Sequence, residues 1–277
     1  MTLKTLQRFK SPTGLSYVKL GQGPSLVLIH GVGLRLEAWV NQLEALSKNY
    51  TVYAVDMPGH GESSVMKECT DISKYTDVIA RWVKTELKSS VVMVGHSMGS
   101  MIALNFAIRY SKLCSGVLAL NSVYRRSAEA KKAVLARVQQ IKHDINAQNV
   151  TGPVARWFDY PVQGNDVVYA DLCCQWLSQA PLDGYRQAYE VFCLNDGPAE
   201  SDLEALAVPA MFITGRNDPN SLPSMSENMA AICSKGESYI VENARHMAPL
   251  THSNEINPIM IDFASRCFIQ SKEMSHE

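Results

Sequence analysis

Three short stretches of this chain carry the side chains that acyl-transfer chemistry needs. They are Gly95-His96-Ser97-Met98-Gly99, Thr214-Gly215-Arg216-Asn217-Asp218 and Glu242-Asn243-Ala244-Arg245-His246. A serine becomes a nucleophile when a histidine takes its proton and a carboxylate holds the histidine in the right tautomer. In the first stretch the serine stands between an apolar run at 91–94 and a second apolar run that starts at Met101. A serine at the tip of a strand-to-helix turn needs small neighbours, because side chains two residues away on either side would strike the backbone. A fourth stretch, His30-Gly31-Val32-Gly33, also follows an apolar run. A glycine-containing loop there can turn a backbone N–H towards the serine, and the N–H of Met98 can point at the same spot. Taken singly, each stretch has a plainer reading: a tight turn, a turn carboxylate, a loop histidine.

What would bring them together is a parallel sheet. The segments 26–29, 51–55, 91–94, 116–120 and 210–214 are short and almost continuously apolar, as strands buried on both faces are. Between them run residues at helical spacing, Trp39, Leu43 and Leu46 in one segment and Ile72, Tyr75, Ile79, Trp82 and Val83 in the next. Strand and helix alternate, which predicts an α/β fold with a mostly parallel central sheet flanked by helices. The carboxyl ends of parallel strands share one side, so Ser97, Asp218 and His246 should meet on one rim. Near the start, LKTLQRF and LSYVKLG are joined by Ser-Pro-Thr-Gly and suggest an antiparallel pair at one edge.

The alternation stops after Leu120. From 123 to 200 no buried-strand run recurs; Val134, Val138, Ile141 and Ile145 keep helical spacing. The remainder is punctuated by Gly152-Pro153, Pro161, Gly164, Pro181, Gly184 and Gly197-Pro198, among aromatics that include Tyr124, Trp157, Phe158, Tyr160, Trp176, Tyr185 and Tyr189. The expectation is a core made of 1–122 and 201–277 with a helical lid, 123–200, inserted in it. Strand-helix order resumes at a capping-like Ser201-Asp202 and closes with a helix over about 256–268.

At these residues the sequence resembles the α/β-hydrolase family. It has the G-x-S-x-G elbow as Gly95-His96-Ser97-Met98-Gly99, the His-Gly-x-Gly loop, the turn Asp56-Met57-Pro58-Gly59-His60-Gly61-Glu62-Ser63, and a late Asp and His in the family's order. The match spans about 24–122 and 203–268, with the helical insertion where the family carries its cap. The resemblance implies that Ser97 attacks a carbonyl, His246 is the base and Asp218 orients it. It further implies that the N–H groups of Val32 and Met98 bind the oxyanion, and that water releases an acyl-enzyme without a metal or organic cofactor. His30 and His96 would support the loop and the elbow. Relatives that place the acid after the preceding strand are not matched, since that strand ends Leu120-Asn121-Ser122 without a carboxylate.

In 277 residues, 26 basic side chains balance 27 acidic ones. No global field favours nucleic acid or an anionic membrane, which leaves a small-molecule partner. The start, MTLKTLQRFKSPTG, has no apolar stretch of signal-peptide length, and no segment approaches the ~18 apolar residues of a membrane span. Cysteines 69, 114, 173, 174, 193, 233 and 267 are odd in number and scattered, suggesting neither a disulfide framework nor a zinc site. The expectation is a soluble, cytoplasmic protein; no oligomeric state is specified.

Val123, Tyr124, Trp157 and Met247 are the candidate substrate-lining residues; Arg35, Arg125 and Arg126 would meet a substrate carboxylate if any turned inward, but each is expected to face away. The first functional expectation is a serine hydrolase of a carboxylic ester or lactone of a small, moderately apolar substrate. A C–C bond hydrolase of ring-fission products is the alternative, against which Met247-Ala248 follows the base where that branch commonly carries tryptophan. A ligand-binding receptor that retains the hydrolase pocket is the alternative of another class.

Overall fold

The computed structural model describes residues 6–67, 71–143, 151–159 and 161–273; Cys69, Ile145 and Tyr160 lie outside the described residues. Eight strands form one sheet in the order β1-β2-β4-β3-β5-β6-β7-β8. They are β1 (Phe9–Lys10), β2 (Ser16–Leu20), β3 (Ser25–Ile29), β4 (Thr51–Val55), β5 (Val91–His96), β6 (Cys114–Leu120), β7 (Ala210–Gly215) and β8 (Gly236–Val241). β1 pairs antiparallel with β2 and β2 antiparallel with β4, while β4, β3, β5, β6, β7 and β8 run parallel to one another.

The apolar runs are explained by cover on both faces. Along β3, Val27 and Ile29 pack into one core layer and Leu26 and Leu28 into the other; on β6, Val117 and Ala119 oppose Leu118 and Leu120. Strand alternation sends neighbours to opposite faces, so a strand buried twice must be apolar throughout. Each fully buried aliphatic side chain is worth about 1.5–3 kcal/mol. Helices α1 (Val40–Leu46), α2 (Ile72–Trp82) and α3 (Met98–Arg109) follow β3, β4 and β5. Tyr75, Ile79 and Trp82 of α2 and Ile102 and Phe106 of α3 cover one face, and Leu43 and Leu46 of α1 cover the other.

Between β6 and β7 come α4 (Ala128–His143), α5 (Thr151–Trp157), α6 (Asp166–Gln179), α7 (Leu182–Leu194) and α8 (Glu200–Glu204). The chain then runs through α9 (Pro223–Ile232), α10 (Ala248–Thr251) and α11 (Ser253–Glu273). Gly184 does not break a helix but sits in the first turn of α7. The cap of α8 is Ala199, without a side-chain hydrogen bond, rather than the Ser201-Asp202 pair. A third apolar cluster joins α5, α6 and α7 to the core: Val154, Phe158, Trp176, Leu177 and Tyr185 pack with Leu34, Met247 and Leu250. Among the described residues no helix is long and apolar enough to cross a membrane.

The connections leaving β3 and β5 diverge, since β4 lies on one side of this adjacent pair and β6 on the other. Such a switch of direction opens a crevice at the carboxyl ends of the strands, where open α/β sheets bind their ligands. Ser97 and the 30–33 loop leave the sheet at that point.

Candidate active site

Ser97 joins β5 to α3 with φ 55° and ψ −122°. A β-carbon in such a conformation costs about 1–3 kcal/mol, which surrounding contacts must hold in place. Those contacts are visible. The Ser97 N–H donates to the Leu120 carbonyl at 2.9 Å, tying the elbow to β6. A Cβ on Gly95 would lie 2.1 Å from the Gly99 carbonyl oxygen, and one on Gly99 would lie 2.1 Å from that of Ile29. The two glycines therefore let the turn close on itself and on β3, and the strain at Ser97 follows from that closeness. The loop after β3 passes directly over the serine: a Cβ on Gly31 would sit 2.9 Å from Ser97 Cβ.

His246 follows β8 and Asp218 follows β7, on adjacent strands, as the rim argument expects. His246 Nδ1 donates to Asp218 Oδ2 at 2.8 Å, with both side chains buried. A carboxylate only accepts, so this bond assigns the proton to Nδ1 and leaves Nε2 with a free lone pair, the state a general base requires. Burial alone would raise the Asp218 carboxyl, but His246 and the N–H donors of Asn121 and Asn220 hold it below the usual carboxylate value. Asp218 stays ionised in a buried place because its oxygens are saturated with donors.

One of those donors, Asn121, was not singled out by the sequence. It follows β6 with φ 50°, and its Nδ2 donates to Asp218 Oδ2 at 2.8 Å. Its own backbone is fixed on both sides, by the Ile213 carbonyl at 2.7 Å and by Ser221 Oγ, which donates to its carbonyl at 2.7 Å. The available signal was positional: Asn121 stands just past the carboxyl end of β6, next to β7, which leads to Asp218.

The remaining histidines of the rim hold backbone. His96 Nε2 donates to the His246 carbonyl at 2.7 Å, and its ring lies 5.0 Å from that of His246. Burial lowers its imidazole to about 3, so it remains neutral. His30 Nδ1 donates to the Gly31 carbonyl at 2.8 Å, while its Nε2 accepts the Met57 N–H at 2.9 Å. Burial holds His30 well below the ordinary imidazole value and lowers His60 to about 4. Asp56 braces the same region, accepting the N–H groups of Leu36 and Glu62, each at 2.9 Å, and pairing with Arg8.

Ser97, His246 and Val32 line one cavity of about 510 Å³, within the range of small-molecule sites. Met98 opens α3, where helix geometry leaves its N–H without an intrahelical acceptor. Of the four candidate lining residues, Val123 and Trp157 face this cavity; the Trp157 ring lies 5.9 Å from that of His246. Tyr124 and Met247 do not, which corrects the sequence expectation. Tyr124 is buried in the main core, its N–H on the Met225 sulfur and its ring under the Arg125 guanidinium. Met247 is consumed by the cluster that seats the inserted helices, beside Leu34 and Leu250.

The arginines also differ from expectation in one case. Arg35 pairs with Glu37 and Arg125 with Glu200. Arg126 turns inward, lining the cavity while it donates to Asp196 at 2.8 Å and to the carbonyls of Asn195 and Phe192. Among the described residues no group of three His, Cys, Asp or Glu side chains is placed to hold a metal.

Comparison with known proteins identifies the family. The chain is 34% identical over 94% of its length to (E)-2-((N-methylformamido)methylene)succinate hydrolase of Acinetobacter baylyi, covering 97% of that protein. It is 24% identical, over 89% of the chain and 96% of the relative, to pimeloyl-[acyl-carrier protein] methyl ester esterase of Vibrio atlanticus. Among solved structures, a thermophilic esterase from Thermogutta terrifontis superposes with a TM-score of 0.83 at 22% identity, covering 94% of this chain and 99% of the other. The enol-lactonase of Burkholderia xenovorans gives 0.82 at 22% identity, covering 91% and 96%. The model of the alpha/beta hydrolase family matches residues 26–258, and with the relative at 34% identity it shows that the chain belongs to the α/β-hydrolase family and is a hydrolase.

Proposed function

We propose that the protein is a serine hydrolase that cleaves a carboxylic ester or lactone of a small substrate through an acyl-enzyme on Ser97. One observation carries the reading: the strained, backbone-held Ser97 shares a cavity with His246, whose Nδ1 is bonded to the buried Asp218 at 2.8 Å. Ser97 Oγ attacks the carbonyl carbon while His246 Nε2 accepts its proton. The tetrahedral oxyanion is met by the N–H groups of Val32 and Met98. His246 returns the proton to the leaving oxygen, and a water activated by the same imidazole cleaves the acyl-enzyme. Asp218 holds the tautomer and stabilises the imidazolium. The helices inserted between β6 and β7 act as the lid that shapes the substrate.

A second reading is favoured by the A. baylyi relative, whose named substrate carries an amide and two carboxylates. In that reading the same serine machinery acts on an amide-bearing compound. The test is a screen of purified protein against aryl esters, lactones, N-formyl enamides and ring-fission diketones, run beside Ser97→Ala. Multiple turnovers of an ester or lactone, absent in the variant, are the expected result. Turnover of the diketones alone would replace the reading with C–C hydrolysis. Single-turnover decay of every compound would replace it with a receptor.

A further inference from the structure

Arg126, Arg137 and Arg156 line the cavity that contains Ser97 and His246, and among the described residues no Asp or Glu lines it. This is unusual for the chain, which balances 26 basic side chains against 27 acidic ones. The three come from separate places: Arg126 from the turn after β6, Arg137 from α4 and Arg156 from α5. Arg126 is buried and bound to Asp196, which also takes Lys131 at 2.6 Å, so its charge is matched inside the protein. Asp159, the acidic residue that ends the α5 segment, is taken by Arg245 at 2.6 Å. Tyr185 and Tyr189, which stack with centroids 5.8 Å apart, line the same cavity as Arg137 and Arg156, whose positive charges oppose the rise that burial imposes on both phenols.

We infer that Arg137 and Arg156 form a carboxylate anchor in the inserted helices, so that the preferred substrate is an acyl compound bearing a free carboxylate on the acyl side. The inference rests on the proposed ester-hydrolase reading for its kinetic arm and stands apart from it for its binding arm. A guanidinium presents a rigid fork of donors that matches a carboxylate, and it stays charged at any working pH. In a cavity with apolar walls such a pair attracts an anion more strongly than it would in open water. A carboxylate rather than a phosphate is favoured because the reacting group is an acyl carbon, and because the relative at 34% identity acts on a compound named as a succinate. Anchoring the far end of the acyl chain places its carbonyl against Ser97 and so contributes to orientation as well as affinity.

The test compares two esters of equal acyl length, 4-nitrophenyl hemiglutarate and 4-nitrophenyl valerate, which differ in ending on a carboxylate or a methyl. The wild-type protein should prefer the hemiglutarate by about tenfold or more in kcat/KM, mainly through KM. The double variant Arg137→Gln, Arg156→Gln should bring that ratio close to one. Arg125→Gln, whose guanidinium pairs with Glu200 outside the cavity, should leave the ratio where it was. In parallel, calorimetry should show glutarate binding to the wild type, weakened about tenfold or more in the double variant, with inorganic phosphate binding much less well. Equal use of the two esters, no glutarate binding, or phosphate binding as tightly as glutarate would each overturn the anchor. Arginine-dependent glutarate binding without turnover of either ester would sustain the anchor and count against the ester-hydrolase reading.

Discussion

At the rim of the sheet, Ser97, Asn121, Asp218 and His246 leave four neighbouring strands, β5 to β8, whose parallel register ties their positions together. Above them, Val123, Arg137, Arg156 and Trp157 come from an insertion whose helices meet the rim largely through side chains such as Phe158, Trp176 and Leu177 packed on Leu34 and Leu250. The rim is held through its main chain: the Ser97 N–H bonds the Leu120 carbonyl, the Asn121 N–H that of Ile213, and the His96 side chain the His246 carbonyl. Backbone contacts tolerate almost no change, whereas a roof of side chains can be repacked. Under the proposed function this difference divides the labour, with the rim supplying the reaction and the insertion the choice of substrate.

The comparison can be broken from several directions. Ser97→Ala should lower kcat by something on the order of 10⁶ in steady-state ester assays, because members of such a unit act together. Near-normal turnover would remove Ser97 from the chemistry.

Buried neutral histidines at the rim make a second, thermodynamic mark. In the unfolded chain an imidazole takes its proton near 6.5, whereas His60 and His96 wait until about 4 and about 3. The stability they contribute is complete above 6.5 and is lost as pH falls towards the folded values. Each of these histidines should cost about 2 kcal/mol at about pH 5, readable as a shift in urea midpoint between pH 7 and pH 5. His30 shifts in the same direction and adds to the loss. A midpoint that does not move over this interval would contradict the buried neutral assignment. Asp218 acts in a lower window, where its depressed carboxyl loses its contribution as pH falls below 3.8.

Gly99→Ala should destabilise the protein by about 3–5 kcal/mol, since the added methyl would meet the Ile29 and His30 carbonyls at 2.1 and 2.6 Å. A thermal midpoint within a degree or two of wild type would mean that the elbow has slack the geometry does not suggest. Asn121→Ala should be milder, lowering kcat by about 10- to 100-fold with KM little changed, through a less firmly held Asp218. Rescue by Asn121→Gln is not expected, because an amide one methylene longer would carry its nitrogen past the point from which Asn121 reaches Asp218, Thr214 and the Arg245 carbonyl. A change confined to KM would move Asn121 to the substrate side of the comparison.

Much of the rim was legible in the sequence for physical reasons. Strands buried on both faces must be apolar throughout, so β3 to β7 stand out as runs. The elbow must use glycine where a β-carbon would strike backbone, so Gly95 and Gly99 flag Ser97. Asn121 escaped notice because its role is set by the neighbour that strand pairing gives it. The insertion was legible only as helical. Tyr124 and Met247 have the composition of lining residues and are core, whereas Arg126 has the look of a solvated cation and is buried on Asp196. Helical periodicity says which residues share a face, and it does not say what that face meets.

The sequence by itself determined the parallel α/β core, the glycine-flanked elbow at Ser97 and the placing of Asp218 and His246 after later strands, because strands buried on both faces and a turn closed on backbone each restrict the residues they can use. Only the tertiary structure decided that His246 Nδ1 carries its proton to Asp218, that Asn121 joins them, and that arginines from separate segments face one cavity. Those are meetings of residues far apart in the chain, and they follow from how the strands pair and how the helices seat.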